Sequence, residues 1–355
     1  MLQKMISTIL LFGLAFLPFA EAQKIIGFFP SWAQYSQFYP KDVRFDFLTH
    51  VHYAYFVADE AGGINAGDET DLANFENLVK LAKAKGVKIL VTVGGSENAD
   101  VISALAGDEA KRGAFVGNLM TFIKAKGIDG IELDWQPKDS DKGNYASLLK
   151  ALAASFAQET PKLLLSATAT WDESATSGYD VEALALADYV NVQTIDVSPA
   201  EGTVAAPVAS LPVTIQALNF WKGKGISAQK LNPMVPFYGR SFLGAKGLGT
   251  PSNGPGSGNE GLLSYKELME KFNGNTYTVT LDKETSSEVA VSAIETIAFN
   301  GIPSIRSVAS FVKANGFGGV AISDLQSDAD HWKVSLLVTI GKELRPNVNY
   351  KQKQR

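Results

Sequence analysis

The chain reads as an α/β protein, a (β/α)8 barrel carrying a small α+β insertion between its seventh and eighth strands. Three observations predict this. Short apolar runs alternate with stretches of helical periodicity along the whole length, and the count of apolar runs is eight. No G-x-G-x-x-G follows the first apolar run, which argues against a doubly wound open sheet. One interval, after the seventh run, is too long to be a structureless loop in a compact domain.

Length and composition fit. The 355 residues, 46% hydrophobic and 19% charged, supply an ordinary globular core. A barrel of about 250 residues plus an insertion would fill them. The formal charge of −5 gives no nucleic-acid footprint. The absence of cysteine excludes disulfides, thiol catalysis and thiolate metal sites. His50, His52 and His331 lack H-x-x-x-H spacing, and no phosphate loop occurs, so neither a metal nor a cofactor is expected.

The N-terminus has the pattern of a targeting segment. Lys4 supplies charge, Ile6 to Phe19 is apolar, and Ala20-Glu21-Ala22 offers a small-x-small cleavage site. The apolar run is shorter than the ~20 residues of a spanning helix. The expectation is a signal peptide over 1–22, a mature chain beginning at Gln23, a secreted or periplasmic location and no membrane contact after cleavage. A retained anchor is the alternative.

Taken in order, Lys24–Phe29 is strand one, stopped by Pro30, and Leu48–Val57 is strand two. Asp71–Lys85 is a helix with Leu72, Phe75, Leu78, Val79 and Ala82 on one face, ended by Gly86. Val87–Val93 is strand three, closed by Gly94-Gly95. Glu109–Lys126 is a helix ended by Gly127, and Ile128–Trp135 is strand four. Asn144–Gln158 is helical, Leu163–Thr170 is strand five, Val181–Ala187 a short helix and Asp188–Ile195 strand six. Pro212–Lys222 is helical, with Pro212 in its first turn, and Leu231–Phe237 is strand seven. Within the long interval, 244–261 is rich in Gly, Pro and Ser and reads as loop. Ser264–Phe272 reads as helix, and Tyr277–Leu281 and Glu288–Ala293 as strands. Ser304–Asn315 is a helix, Phe317–Ser323 strand eight, and Asp330–Leu344 a closing helix. The barrel unit is expected over 23–344, the insertion over 241–303, and a polar tail over 345–355.

Strand four carries the chemistry. Side chains alternate between the faces of a strand, so Glu132, Asp134 and Gln136 share one face of Gly127–Pro137 and climb toward the mouth where barrel active sites sit. The ladder ends in an amide. Acids at a strand end that cap a helix or pair with arginine are the plainer reading, although an unpaired buried ladder is costly.

The stretch resembles the strand-four signature D-G-x-D-x-D-x-E of glycoside hydrolase family 18, the chitinases. Asp129 matches the first acid, Glu132 the second with one extra methylene, and Asp134 the third. Gln136 stands at the catalytic glutamic acid. The resemblance runs from Lys24 to about Leu344. It takes in Ile25–Trp32, Thr49–Tyr55, Val93-Gly94-Gly95, Asp188–Asp196 against a strand ending M-x-Y-D, Pro236–Ser241, and Gly318-Gly319-Val320. It implies a cleft walled by the insertion and a carbohydrate partner, for which N-acetylglucosamine oligomers are the candidate. Phe28, Tyr55, Asp134, Asp196, Tyr238 and Arg240 match sugar-contacting positions, while Asp129 and Glu132 are structural acids. Trp171, just after strand five, is a candidate stacking ring by position.

The departures cluster. In the family the glutamic acid protonates the leaving oxygen, the substrate's N-acetyl oxygen attacks, and the third aspartate holds the amide. Gln136 has no proton to lend. Glu132 lies roughly 13 Å further down the strand. The strand-six tyrosine is Ile195, the strand-eight tryptophan is Ser323, and the tryptophan after Gly-Gly is Ser96. Three readings follow: a catalytically silent glycan binder, a hydrolase with a rerouted acid, and an interaction or inhibitor barrel without a sugar ligand. Asp134 is expected to be charged, to accept directly from the Gln136 amide, and to have its pKa lowered by such bonds.

Overall fold

In a computed structural model of the chain, which describes residues 23–197 and 202–348, eight parallel strands close on themselves. The expected signal peptide and the end of the polar tail lie outside the described residues. The barrel opens with β1 (Lys24–Pro30) and β2 (His50–Ala58). Next come the hairpin strand β3 (Ile64–Ala66), α1 (Leu72–Ala84) and β4 (Lys88–Gly94). Then follow α2 (Ala99–Gly107), α3 (Glu109–Lys126), β5 (Gly130–Asp134) and α4 (Lys142–Ala157). The second half runs β6 (Leu164–Thr170), α5 (Val181–Leu184), β7 (Tyr189–Gln193), α6 (Leu211–Gly223) and β8 (Leu231–Pro236).

A second sheet intervenes before closure. It contains β9 (Tyr238–Leu243), β10 (Leu262–Ser264), β11 (Thr278–Asp282), β12 (Ser287–Val291) and β13 (Glu295–Phe299), with α7 (Tyr265–Lys271) between β10 and β11. The chain returns through α8 (Ile302–Ala314), β14 (Gly319–Ser323) and α9 (Leu336–Leu344). β1 pairs in parallel with both β2 and β14, which closes the barrel. The insertion sheet is antiparallel in the order β10-β9-β13-β12-β11.

Local chemistry explains the ends. Asp108 caps α3 by accepting from the Lys111 N–H at 2.9 Å, and Lys124 and Lys126 lie in its last turn, opposite in sign to the helix dipole there. Gly127 closes the helix at φ 63°, a left-handed conformation that glycine adopts without penalty. Gly94 ends β4 at φ 128°, where a Cβ would lie 2.2 Å from the Asp134 carbonyl oxygen, so only glycine lets the ends of β4 and β5 approach. Alternation along β5 divides its side chains. Ile131, Leu133 and Trp135 are buried among the helices, with Trp135 5.6 Å from the Tyr145 ring of α4. The polar positions face the axis.

Three expectations need correction, and one helix was not read from the sequence. α2 lies in a stretch to which no element was assigned; it is short and Ala-rich, and Asn98 anchors its start by bonding both the N–H and the C=O of Ala58 at 2.9 Å. The closing helix begins at Leu336, not Asp330. Asp328 accepts from the Leu336 N–H at 2.8 Å and Ser335 caps the Val338 N–H at 3.1 Å, which fixes the start there. The insertion sheet begins at Tyr238, so a boundary at 241 cuts through β9, whose Arg240 pairs with Leu262 and Ala298. The insertion also has five strands where two were read. β10 is only three residues long, and β9 and β13 lack the polar alternation that marks an exposed strand.

Candidate functional site

Glu132 sits at the barrel axis, fully buried, and receives four side chains. Thr92 from β4 donates to Oε2 at 3.0 Å, with His52 Nδ1 from β2 at the same distance. Asn191 from β7 donates to Oε1 at 2.6 Å and Ser166 from β6 at 3.4 Å. A carboxylate only accepts, so His52 Nδ1 carries the proton, and His52 Nε2 lies 2.8 Å from the Tyr189 hydroxyl. The extra methylene of glutamate is what lets this acid reach across to β2. His52 was not singled out from the sequence as a partner.

Asp134 is one rung higher. Its Oδ1 accepts from Thr168 at 2.9 Å and from Gln193 Nε2 at 3.3 Å. Desolvation raises its pKa, the charge of Glu132 adds to the rise, and the two hydrogen bonds oppose it; the result is about 6. The expectation of a lowered pKa is corrected: withdrawal from water outweighs the donors, although the group is still mostly charged at pH 7.

Gln136 does not meet Asp134. Its amide donates to Gln193 Oε1, and Gln193 bridges the two. The direct bond expected between them is replaced because Gln193, at the end of β7 two strands along the barrel, bonds both side chains. Gln193 stands where the strand-six pattern reads Met, and that mismatch was the available signal.

Across the mouth, Asp196 takes a left-handed conformation at φ 50°. It accepts from the Tyr238 hydroxyl at 2.7 Å and from Arg240 at 3.1 Å. These three expected residues are therefore brought together. Tyr55 is half-buried, and burial first, then the charges of Asp134, Glu132 and Asp324, raise its pKa. Its ring stacks on Trp32 at 6.1 Å and 27°, and Trp32 is 44% exposed, an aromatic surface that the sequence reading did not assign. Phe28 is buried, 5.0 Å from the His52 ring, in the cluster of Ile26, Ala54, Leu90, Tyr189, Met234 and Ala321 that fills the barrel interior. Ile195 packs on that same cluster. Ser323 is half-buried at the end of β14, and Ser96 is exposed beyond β4.

Two expected positions fall elsewhere. Asp129 lies just before β5, at the opposite end of the strand from the mouth, where it holds Lys88 at 2.8 Å and the Ile89 N–H at 2.9 Å, consistent with a structural acid. Trp171 is half-buried and packs against the core between sheet and helices, apart from the cluster that carries Tyr55 and Phe28. Among the described residues no group of three or more His, Asp or Glu side chains could hold a metal ion. None of the helices there is long and apolar enough to cross a membrane.

The closed barrel, the ladder at the mouth of its fourth strand and the antiparallel sheet inserted beside it define a chitinase-type fold. The chain belongs to the glycosyl hydrolases family 18, whose sequence profile matches residues 24–328. It is 26% identical over 333 residues to a chitinase-like allergen of the mite Dermatophagoides pteronyssinus, covering 87% of this chain and 71% of that protein. It is also 26% identical over 348 residues to chitotriosidase-1 of Mus musculus, covering 87% and 74%. Catalytic domain 2 of the Group II chitinase of Ostrinia furnacalis superposes with a TM-score of 0.85 at 26% identity, over 92% of this chain and 97% of that one.

Proposed function

We propose that this protein is a secreted chitinase-like lectin that binds a glycan containing N-acetylglucosamine in the barrel mouth and does not hydrolyse it. The observation that carries the reading is Gln136, an amide bound to Gln193 at the position where the family resemblance puts the acid. General acid catalysis contributes roughly 10²–10⁴-fold in rate, about 3–5 kcal/mol of barrier. No other carboxyl on the ladder is free to replace it, since Glu132 is held by four partners and Asp134 by two. Binding is supported by the retained Asp134, the Asp196–Tyr238–Arg240 group and the exposed Trp32 face. A mutant of the Ostrinia furnacalis domain is described in complex with (NAG)5, which makes such oligomers the ligand to try first. Secretion is proposed from Lys4, the apolar run after it and Ala20-Glu21-Ala22.

A paired assay tests both halves. The mature protein should bind N-acetylglucosamine oligomers by calorimetry and release no product from them. Turnover of a fluorogenic chitobioside at ~1 s⁻¹ or more would show that another group supplies the proton. Absence of binding would favour the interaction-barrel reading, toward which the apolar Ile195 and small Ser323 already lean. Mass spectrometry of exported protein should find Gln23 at the N-terminus; an intact Met1 would remove the secretion claim.

A further inference from the structure

Gln193 ends β7 with its amide between two side chains of the strand-four ladder. Its Nε2 lies 3.3 Å from Asp134 Oδ1, and its Oε1 accepts from the Gln136 amide. Valence sets this orientation. A carboxylate offers no hydrogen, so the N–H end of Gln193 faces Asp134, and the carbonyl end is left for Gln136.

We propose that Gln193 is a positioning residue that joins Asp134 and Gln136 into one hydrogen-bonded unit, and that this unit, not the missing acid alone, keeps the cleft silent. The inference rests on the silent-cleft reading above and adds a second residue to it. A general acid must retain its proton until the leaving oxygen takes it, which requires a raised pKa. With glutamate at position 136, the end of Gln193 that faces it is still the carbonyl, so the neutral carboxyl would donate its hydrogen to Gln193 Oε1 while Nε2 still serves the Asp134 carboxylate. A hydrogen bond to the charged form favours that form, and one to the neutral form favours the neutral form. Asp134 is then held as an anion that does not share the proton, and the hydrogen of the new carboxyl is engaged by Gln193 and not available to the leaving oxygen. A methionine at 193 donates nothing. Asp134 keeps Thr168 alone, and the two carboxyl groups, one rung apart, share a proton as a coupled pair.

The ionisable groups that face Asp134 leave this control to Gln193. Glu132 from the same strand is occupied by His52, Thr92, Ser166 and Asn191. Tyr55 from β2 and Tyr179 from the segment before α5 both sense the Asp134 charge, and burial raises both. Arg240, on the far side of the mouth, is bound to Asp196. The donors to Asp134 are thus the Thr168 hydroxyl and the Gln193 amide.

The test uses the parent protein, Gln193→Met, Gln136→Glu and the double variant Gln136→Glu/Gln193→Met. Carbon-13 titration of the Asp134 carboxyl, without ligand, should show its midpoint about half a unit or more higher in Gln193→Met than in the parent, because a bond to the charged form is gone. Methionine conserves the side-chain volume; Gln193→Leu repeats the titration should methionine fail to fold. Hydrolysis of a fluorogenic chitobioside should be about tenfold faster in the double variant than in Gln136→Glu, with its pH profile displaced because the two carboxyl groups then titrate as a coupled pair. An unmoved Asp134 midpoint, or Gln136→Glu as active as the double variant, overturns the proposal. If neither glutamate variant turns over, the titration decides alone. None of these measurements needs the parent to bind glycan, so failed calorimetry would remove the glycan-binding reading and leave this one to its own result.

Discussion

His52 and Glu132 meet at 3.0 Å, both fully buried, on strands β2 and β5. A hydrogen-bonded pair buried in this position gains from the bond and loses from desolvation, and the net worth of the intact pair is small. Breaking it is different, because the remaining group keeps its burial without its partner. His52→Leu and Glu132→Leu should each destabilise the protein by about 3–5 kcal/mol. The double variant should lose less than the sum, with a coupling above about 0.5 kcal/mol. Urea denaturation of the four proteins measures this. Strict additivity would mean that the pair does not interact and that Thr92, Ser166 and Asn191 alone hold Glu132.

Asp134 gives a pH-dependent prediction. Its carboxyl is raised from 3.8 to about 6 in the folded protein. Between those values the folded state binds more protons than the unfolded state, so stability falls as pH rises through the window. The penalty is absent below the unfolded value and complete above pH 6. Asp134→Asn removes it. The variant should therefore be more stable than the parent at pH 7.5, by about 1–3 kcal/mol once the lost bonds to the carboxylate are discounted, and show little difference at pH 3. Thermal or urea unfolding at the two pH values decides. A variant less stable than the parent at pH 7.5 would mean that Thr168 and Gln193 outweigh desolvation.

The ladder was legible because strand alternation is a local property. Glu132, Asp134 and Gln136 on one face, and Ile131, Leu133 and Trp135 on the other, follow from position alone. The eight barrel strands were legible because each is a short segment with apolar residues either continuous or at alternate positions, as in β6 and β7. What failed depends on pairing between distant residues. His52 is an ordinary strand residue until β5 is placed against the barrel axis beside it. Gln193 matters only because β7 ends level with the top of β5. β13, Glu295–Phe299, has two polar residues followed by three apolar ones and no strand period of its own until β9 and β12 lie on either side of it. The late start of α9 depends on Asp328, eight residues before Leu336.

Trp32 and Trp171 separate the cleft from the core. Trp32 is 44% exposed and stacked on Tyr55, whereas Trp171 is half-buried against the layer between sheet and helices. Trp32→Ala should leave stability within about 1 kcal/mol and weaken glycan binding about three- to tenfold, the worth of a stacked ring. Trp171→Ala should behave in reverse, with a loss of about 2–4 kcal/mol from the cavity and an unchanged affinity. Calorimetry with N-acetylglucosamine oligomers beside urea denaturation reads both. An affinity loss confined to Trp171→Ala would return that ring to the binding surface and move the glycan toward the β6 side of the mouth.

The positions of Ile195 and Ser323 make a prediction about affinity rather than turnover. Ile195, like Tyr55, packs on the interior cluster, so position 195 presents an apolar branch and no hydroxyl. Ser323 ends β14 half-buried, and its carbonyl accepts from the Phe237 N–H at 2.7 Å, a backbone bond that any residue can keep. Ser323→Trp would therefore add a ring without disturbing the strand end, and an aromatic ring brings about 150–250 Å² of contact area. Ile195→Tyr would add a donor for an acetamido oxygen, worth about 0.5–1.5 kcal/mol. The double variant should bind N-acetylglucosamine oligomers at least about tenfold more tightly than the parent, while remaining inactive, because Gln136 still has no proton to give. Calorimetry and the chitobioside assay on the same preparation test both statements. If the affinity does not rise, the glycan does not sit over β7 and β14, and the cleft of this protein has moved away from the floor that its strands define.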